Sequence, residues 1–416
     1  MDFFDELKWR GLIKDVTDEE SLRERLKSPI TCYCGFDPTA DSCHIGHLQQ
    51  VILLRRYQKA GHRPIVLVGG ATGMIGDPRM TSERKLLSLE DVKHNAECLK
   101  QQLSHFVDFE GDNKAILANN YDWISQLSVI DFLRDYGKCF NVSYMIAKDT
   151  VASRLERGIS YTEFSYMILQ AMDFLHLYRT YNCQLQIGGS DQWGNLTCGV
   201  ELVRKLEGEN AKVYGVTSPL ITKSDGTKFG KSEGKNVWLD PKKSSPYEFY
   251  QFFVNVADSD IANMLKRLSM KSVEEIQQLI YQSETQPHLR EAQKALAMEL
   301  TEIVHGKEGL QSALRITDAL FKGNIADLTA DEISQAFKDA EKTTVSENTS
   351  LIDALLQGKV CSSKREAREF ITNGAVSING GKITDTALTI TDNMFIDNTY
   401  IIVKRGKKNY YVGRKN

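Results

Sequence analysis

The 416-residue sequence predicts an α/β fold: an open, mostly parallel sheet with helices between its strands, followed by a helical stretch and a small α+β module. Three patterns carry that expectation. Over roughly the first 220 residues, short apolar runs ending in glycine-rich turns alternate with helical periodicity, as in a layered sheet. The run Pro64-Ile-Val-Leu-Val68 is apolar without alternation, as a strand covered on both faces must be. After Pro246 the period becomes helical to about residue 321, and residues 351–416 change again to two short helices and alternating strands.

Taken in order, residues 1–29 read as helical, with Leu7, Leu12, Leu22 and Leu26 spaced among charges. Strands are expected at 30–35, 64–69, 115–118 and 184–187. Helices are expected at 48–60, 88–107, 162–178 and 191–206, with one or two more in 128–157. Residues 322–350 read as a connector with one helix at 330–341. Helices at 352–356 and 364–372 then precede strands around Asn379-Gly-Gly381 and Lys404-Arg-Gly-Lys-Lys408. The expected division is 1–220, 221–322, a linker at 323–350, and 351–416. In such a sheet, ligands bind at the carboxyl ends of the strands, where both glycine-rich loops lie.

Composition is that of an ordinary globular protein, 41% hydrophobic and 26% charged. There is no run of about 18 apolar residues to span a membrane. The opening Met1-Asp-Phe-Phe-Asp-Glu-Leu-Lys8 is acidic and amphipathic, unlike a secretion signal. Eight scattered cysteines without a CxxC pair argue against zinc and disulfide frameworks and suit a reducing cytoplasm. Residues 351–416 hold eleven Lys and Arg against six Asp and Glu, a balance of +5, which leaves −8 on the rest of a chain of net charge −3. A basic module on an acidic body suits a polyanion such as nucleic acid, or simply a solvated face.

Pro38-Thr-Ala-Asp-Ser-Cys-His-Ile-Gly-His47 sits between a strand and a helix, where first-turn amides and the helix dipole attract an anion such as phosphate. His44 and His47, three residues apart, share a face. Their spacing is not that of a zinc helix, and no metal site is expected. In the helix at 162–178, apolar nearly all round, Tyr166, Gln170 and Asp173 form one polar stripe, either a core hydrogen-bond network or the wall of a polar pocket. Gln186-Ile-Gly-Gly-Ser-Asp-Gln192 is another strand, glycine turn and helix start, with Asp191 placed to accept from a ribose diol or merely to cap the turn. Asp77 could cap a turn or bind an ammonium group. Thr222-Lys-Ser-Asp-Gly-Thr-Lys-Phe-Gly-Lys-Ser232 reads as a surface loop whose Lys228 and Lys231 could neutralise growing phosphate charge; it lacks Walker spacing.

Together these motifs resemble the bacterial-type tyrosyl-tRNA synthetases of class I. His44-Ile-Gly-His47 matches the HIGH signature and Lys228-Phe-Gly-Lys-Ser232 the KMSKS signature, with Phe229 and Gly230 replacing its Met and first Ser. Tyr33-Cys-Gly-Phe-Asp-Pro-Thr39, Gly69-Gly-Ala-Thr-Gly73, the Tyr166/Gln170/Asp173 helix and Gly188-Gly-Ser-Asp-Gln-Trp193 extend the likeness, and the basic tail is similar to an S4-type RNA-binding domain. The resemblance implies a Rossmann-like catalytic domain, a helical subdomain and that C-terminal module. It implies activation of L-tyrosine by ATP, accompanied by Mg²⁺ and no organic cofactor, and transfer to tRNA(Tyr) by a cytoplasmic homodimer. Tyr33 and Asp173 would bind the phenol, and Asp77, Tyr166, Gln170 and Gln192 the ammonium end. Cys34, Gly35, Asp37, Thr39, Gly189 and Asp191 would surround the nucleotide. His44, His47, Lys228, Lys231 and Ser232, with Arg84, would serve the phosphates. Two rivals are a tryptophanyl enzyme, which shares the fold but gives Asp173 no purpose, and a scaffold that has lost catalysis, which the intact histidines and lysines oppose.

Overall fold

The computed structural model describes residues 1–78, 86–155, 158–222, 231–232, 235–338, 340–406 and 409–416, and of residues 149, 150, 231, 232 and 235 the backbone alone. The chain divides into two compact units, residues 1–243 with 253–304, and residues 244–252 with 305–416.

In the first unit, helices α1 (Phe3–Trp9) and α2 (Glu19–Arg25) start on Asp2 and Asp18, whose carboxylates accept from the amides of Asp5 and Ser21. Between them lies β1 (Asp15–Val16), which the all-helical reading of residues 1–29 missed; two residues are too few to show alternation. Then follow β2 (Thr31–Phe36), α3 (Ile45–Lys59), β3 (Arg63–Val68), the single turn α4 (Thr72–Ile75), α5 (Leu89–Ser104) and β4 (Ile116–Asn119). Residues 121–152 form short pieces: α6 (Tyr121–Ile124) leads into α7 (Val129–Asp131), a π turn at Phe132–Tyr136, α8 (Val142–Ile146) and α9 (Asp149–Ala152). The long α10 (Tyr161–Tyr181), β5 (Cys183–Gly189), α11 (Trp193–Glu207) and β6 (Tyr214–Ser218) complete the layers.

The six-stranded sheet has the order β1-β6-β5-β2-β3-β4, parallel except for β1 against β6. Connections run one way from β2 through β3 to β4 and the other way from β5 to β6, so the order switches between β2 and β5. There the carboxyl ends of two neighbouring strands diverge and leave a crevice. Tyr33 lies level with Ile65 on one side and Gln186 on the other. The hairpin β7 (Lys231–Ser232) and β8 (Lys235–Asn236) precedes α12 (Pro246–Val254), α13 (Asp258–Leu268), α14 (Val273–Thr285) and α15 (Glu291–Lys322), which kinks at Gly306 (φ 72°).

The second unit adds α16 (Ala330–Ala336), β9 (Lys342–Val345), α17 (Leu351–Gln357), α18 (Lys364–Thr372), β10 (Val376–Ile378), β11 (Gly381–Ile383), β12 (Tyr400–Arg405) and β13 (Asn409–Lys415). Its sheet runs β11-β10-β12-β13-β9, with β9 parallel to β13. The expected boundaries at 220, 322 and 350 do not coincide with the two units. Residues 323–350 carry an edge strand and a helix, and Ile325, Ile333 and Phe337 share one buried cluster with Ile316, Ile402 and Val412. Their polar composition suits an edge strand with one face in solvent, which reads from sequence like a connector.

Asn379 and Gly380, both at positive φ (47° and 91°), form the two-residue turn between β10 and β11. A Cβ on Gly380 would lie 1.8 Å from the carbonyl oxygen of Gly323. Gly380→Ala should therefore lower unfolding stability by roughly 2–4 kcal/mol. In urea unfolding, Gly381→Ala, whose Cβ would meet only Ile378 O at 3.4 Å, should change little.

Candidate active site

The crevice begins where β2 hands over to α3. His44 is the N-cap of α3: the amide of Gly46 donates to its Nδ1 at 3.0 Å, and the amide of His44 donates to Nδ1 of His47 at 3.2 Å. Each ring thus satisfies a first-turn amide, a reciprocal capping arrangement. Only glycine allows it, since a Cβ at residue 46 would lie 2.6 Å from the His44 ring. The rings stack at 4.1 Å. Because both Nδ1 atoms accept, each neutral ring carries its proton on Nε2, the corner turned from the backbone. Burial, then the His44 ring, lowers His47 to about 3, so it stays neutral and donates without titrating near neutrality.

The stretch after β8 is tied to the same spot. Ile45 N–H donates to Val237 O (3.0 Å) and Leu239 N–H to Cys43 O (2.9 Å), with His44 bridged to Trp238. At the other end, the side-chain amides of Gln49 and Gln50 donate to Ser218 Oγ at 2.9 and 2.8 Å. The opening turns of α3 thus hold the chain on both sides of the lysine-rich segment.

The deep end is built from α10 and the ends of β2, β4 and β5. Asp173 is buried, accepting from Asn120 Nδ2 (2.9 Å) and Trp123 Nε1 (3.0 Å). Burial raises its carboxyl to about 8, outweighing these two donors. Burial and the Asp173 charge push the Tyr33 phenol well up, so it remains protonated. Its hydroxyl has no partner among the described residues, nor do the Oε1 atoms of Gln170 and Gln186. Such orphaned groups cost about 1–3 kcal/mol each unless a ligand satisfies them. Nearer the rim, Asp37 accepts from Tyr166 Oη (2.8 Å) and Thr72 Oγ1 (2.7 Å), and Asp77 from Gln192 Nε2 (2.8 Å) and Asn195 Nδ2 (3.2 Å).

One cavity of about 320 Å³ brings together Tyr33, Cys34, Gly35, Asp37, Thr39, His44, His47, Asp77, Tyr166, Gln170, Asp173, Gly189, Asp191 and Gln192. Arg84 and Lys228 lie outside the described residues; Lys231 and Ser232 are described in backbone only, within β7. Sequence reasoning missed Thr72, Asn120, Trp123 and Gln186. A legible hint was the pair Asn119-Asn120 at the carboxyl end of an apolar strand, where α/β sheets bind ligands. The cavity offers carboxyl groups and side-chain amide acceptors at one end and imidazole N–H donors with first-turn amides at the other. That suits a small amphoteric molecule beside a phosphate ester.

The family model for class I tRNA synthetases (W and Y) matches residues 25–322. A tyrosine–tRNA ligase of Listeria monocytogenes serotype 4b is 55% identical over 416 residues, 99% of each chain. This chain belongs to the tyrosine–tRNA ligases. A second member, tyrosine–tRNA ligase 1 of Bacillus cereus, is 54% identical over 418 residues, with both chains covered in full. The model of the tyrosine–tRNA ligase SYY-like C-terminal domain matches residues 332–412, a range that begins inside the expected linker. Among solved structures, the C-terminally truncated mitochondrial tyrosyl-tRNA synthetase of Aspergillus nidulans is similar at a TM-score of 0.69 and 32% identity, covering 77% of this chain and 94% of its own.

Proposed function

We propose that this chain activates L-tyrosine with ATP and transfers it to tRNA(Tyr). The observation that carries the reading is a buried carboxylate and an unpaired phenol, Asp173 and Tyr33, in one cavity with two Nε2–H donors. Tyrosine's carboxylate attacks the α-phosphate of ATP and pyrophosphate leaves. A hydroxyl of the tRNA's 3′ adenosine then attacks the tyrosyl carbonyl and AMP leaves. Asp173 and Tyr33 receive the phenol; Asp77, Tyr166, Gln170 and Gln192 hold the ammonium group. Asp191, Gly189, Cys34, Gly35, Asp37 and Thr39 border the nucleotide. His44 and His47 donate to phosphate oxygens as charge builds, work that requires placement and fixed dipoles and no protein nucleophile. Lys228, Lys231, Ser232 and Arg84 join them by family likeness. Mg²⁺ accompanies ATP through its phosphates.

The second unit is proposed to hold tRNA, supported by exposed Lys364, Arg365 and Arg368 along α18. Pairing of two copies is supported by exposed Val129, Ile130, Leu133 and Val142. None of the described helices is long and apolar enough to cross a membrane, and we place the protein in the cytoplasm with its substrates.

The deciding experiment is pyrophosphate exchange into ATP. Tyrosine should drive it; equal exchange with phenylalanine or tryptophan would overturn the reading. Binding should also release a proton. Near pH 7 a carboxyl held at about 8 is mostly protonated, and a phenol donating to it favours the carboxylate. Calorimetry in buffers of different ionisation enthalpy should find up to about one proton released per site. Release that persists in Asp173→Asn would point elsewhere.

A further inference from the structure

Asp173 is held by Trp123, and Trp123 is itself held. Asp173 and His176 lie three residues apart on α10 and so project from one side of the helix. The indole of Trp123 fills the space between them: its Nε1–H donates to Asp173 Oδ1 at 3.0 Å, while its face lies against the His176 ring, centroids 4.1 Å apart and planes within 10°. Thr180 Oγ1, one turn on, lies 3.4 Å from His176 Nε2 and steadies the ring. Trp123 belongs to α6, a single turn with no side-chain cap, and an isolated turn has little stability of its own. The inner edge of the indole rests on the buried core and the half-buried His176 closes its outer face.

We propose that His176 is a positioning residue for the substrate's phenol. By stacking on Trp123 it fixes the angle at which the indole N–H holds Asp173 Oδ1, while Asn120 holds Oδ2 from the other side at 2.9 Å. With both oxygens pinned, the carboxylate keeps one orientation and aims its remaining lone pairs into the cavity. Without the stack the indole tilts, one donor is lost and the acceptor turns away from its target. This rests on the reading that Asp173 receives the phenol. The flat face of the ring matters and its charge does not, so phenylalanine can replace it.

The test is steady-state pyrophosphate exchange with His176→Leu and His176→Phe, with Asp173→Asn alongside. His176→Leu should raise KM for tyrosine about three- to tenfold, the range of one aromatic pair, leaving KM for ATP and kcat at saturating tyrosine unchanged. Discrimination between tyrosine and phenylalanine should narrow by the same factor, and His176→Phe should restore both. If the leucine variant is unstable, His176→Gln removes the aromatic face with a polar side chain and is read in the same way. Wild-type KM for tyrosine in the leucine or glutamine variant, parallel shifts in both KM values, or failure of phenylalanine to rescue would each overturn the proposal. If Asp173→Asn itself leaves tyrosine binding intact, the fault lies in the assignment of Asp173 and the stack has nothing to position.

Discussion

Asp173→Ala should lower kcat/KM for tyrosine in pyrophosphate exchange by about 10³-fold, while KM for ATP stays within about twofold. The loss exceeds one hydrogen bond because three groups lose a partner at once. Trp123 Nε1 becomes a part-buried donor with nothing to accept from it, Asn120 Nδ2 keeps Thr72 Oγ1 but loses its second acceptor, and the incoming phenol loses its own. Preference for tyrosine over phenylalanine should collapse in the same variant, because the preference comes from polar groups that phenylalanine leaves unpaired. The scale of that preference, about 10⁵-fold, is set by tyrosyl-tRNA synthetases themselves and is not calculated from this geometry. Exchange measured with both amino acids checks both statements. A variant that still favours tyrosine strongly would mean that Tyr33 or Gln186 carries the recognition.

His47→Ala should act on the other coordinate. Its Nε2–H is a preorganised neutral donor, and removing one such donor to a developing oxyanion costs about 10²–10³-fold in kcat. KM for tyrosine should hardly move, since the proposed roles put His47 with the phosphates and Asp173 and Tyr33 with the phenol. With its pKa held near 3, the wild-type rate should show no inflection from His47 between pH 6 and 8. Single-turnover formation of the adenylate measures the first point and a pH profile the second. A variant that weakens tyrosine binding but keeps its rate would place His47 in the wrong role.

Much of this was legible in the chain itself. The strand–turn–helix order around His44 and His47 stands in the structure as β2 leading to the capped start of α3, and the Tyr166/Gln170/Asp173 stripe announced buried polar groups in search of partners. What the stripe left open, core network or pocket wall, the structure resolves as both: Tyr166 and Asp173 are bonded to other side chains and also line the cavity. Asn120, Trp123 and Gln186 stayed hidden because their meaning is tertiary. Trp123 lies on a four-residue helix too short for periodicity, and Gln186 looks like any polar residue in a strand until β5 is laid beside β2. The strand β9 was lost for a similar reason, since Lys-Thr-Thr-Val reads as solvent-loving chain until its one covered edge is known.

The two anchorages on α3 give the lysine-bearing segment fixed points of departure and return. Ser218 is fastened to Gln49 and Gln50, and residues 237 and 239 are laced to residues 45 and 43. Both anchorages belong to the helix that carries His44 and His47. Cutting the lacing at residues 237–239 would leave the chain fastened to that helix at Ser218 alone.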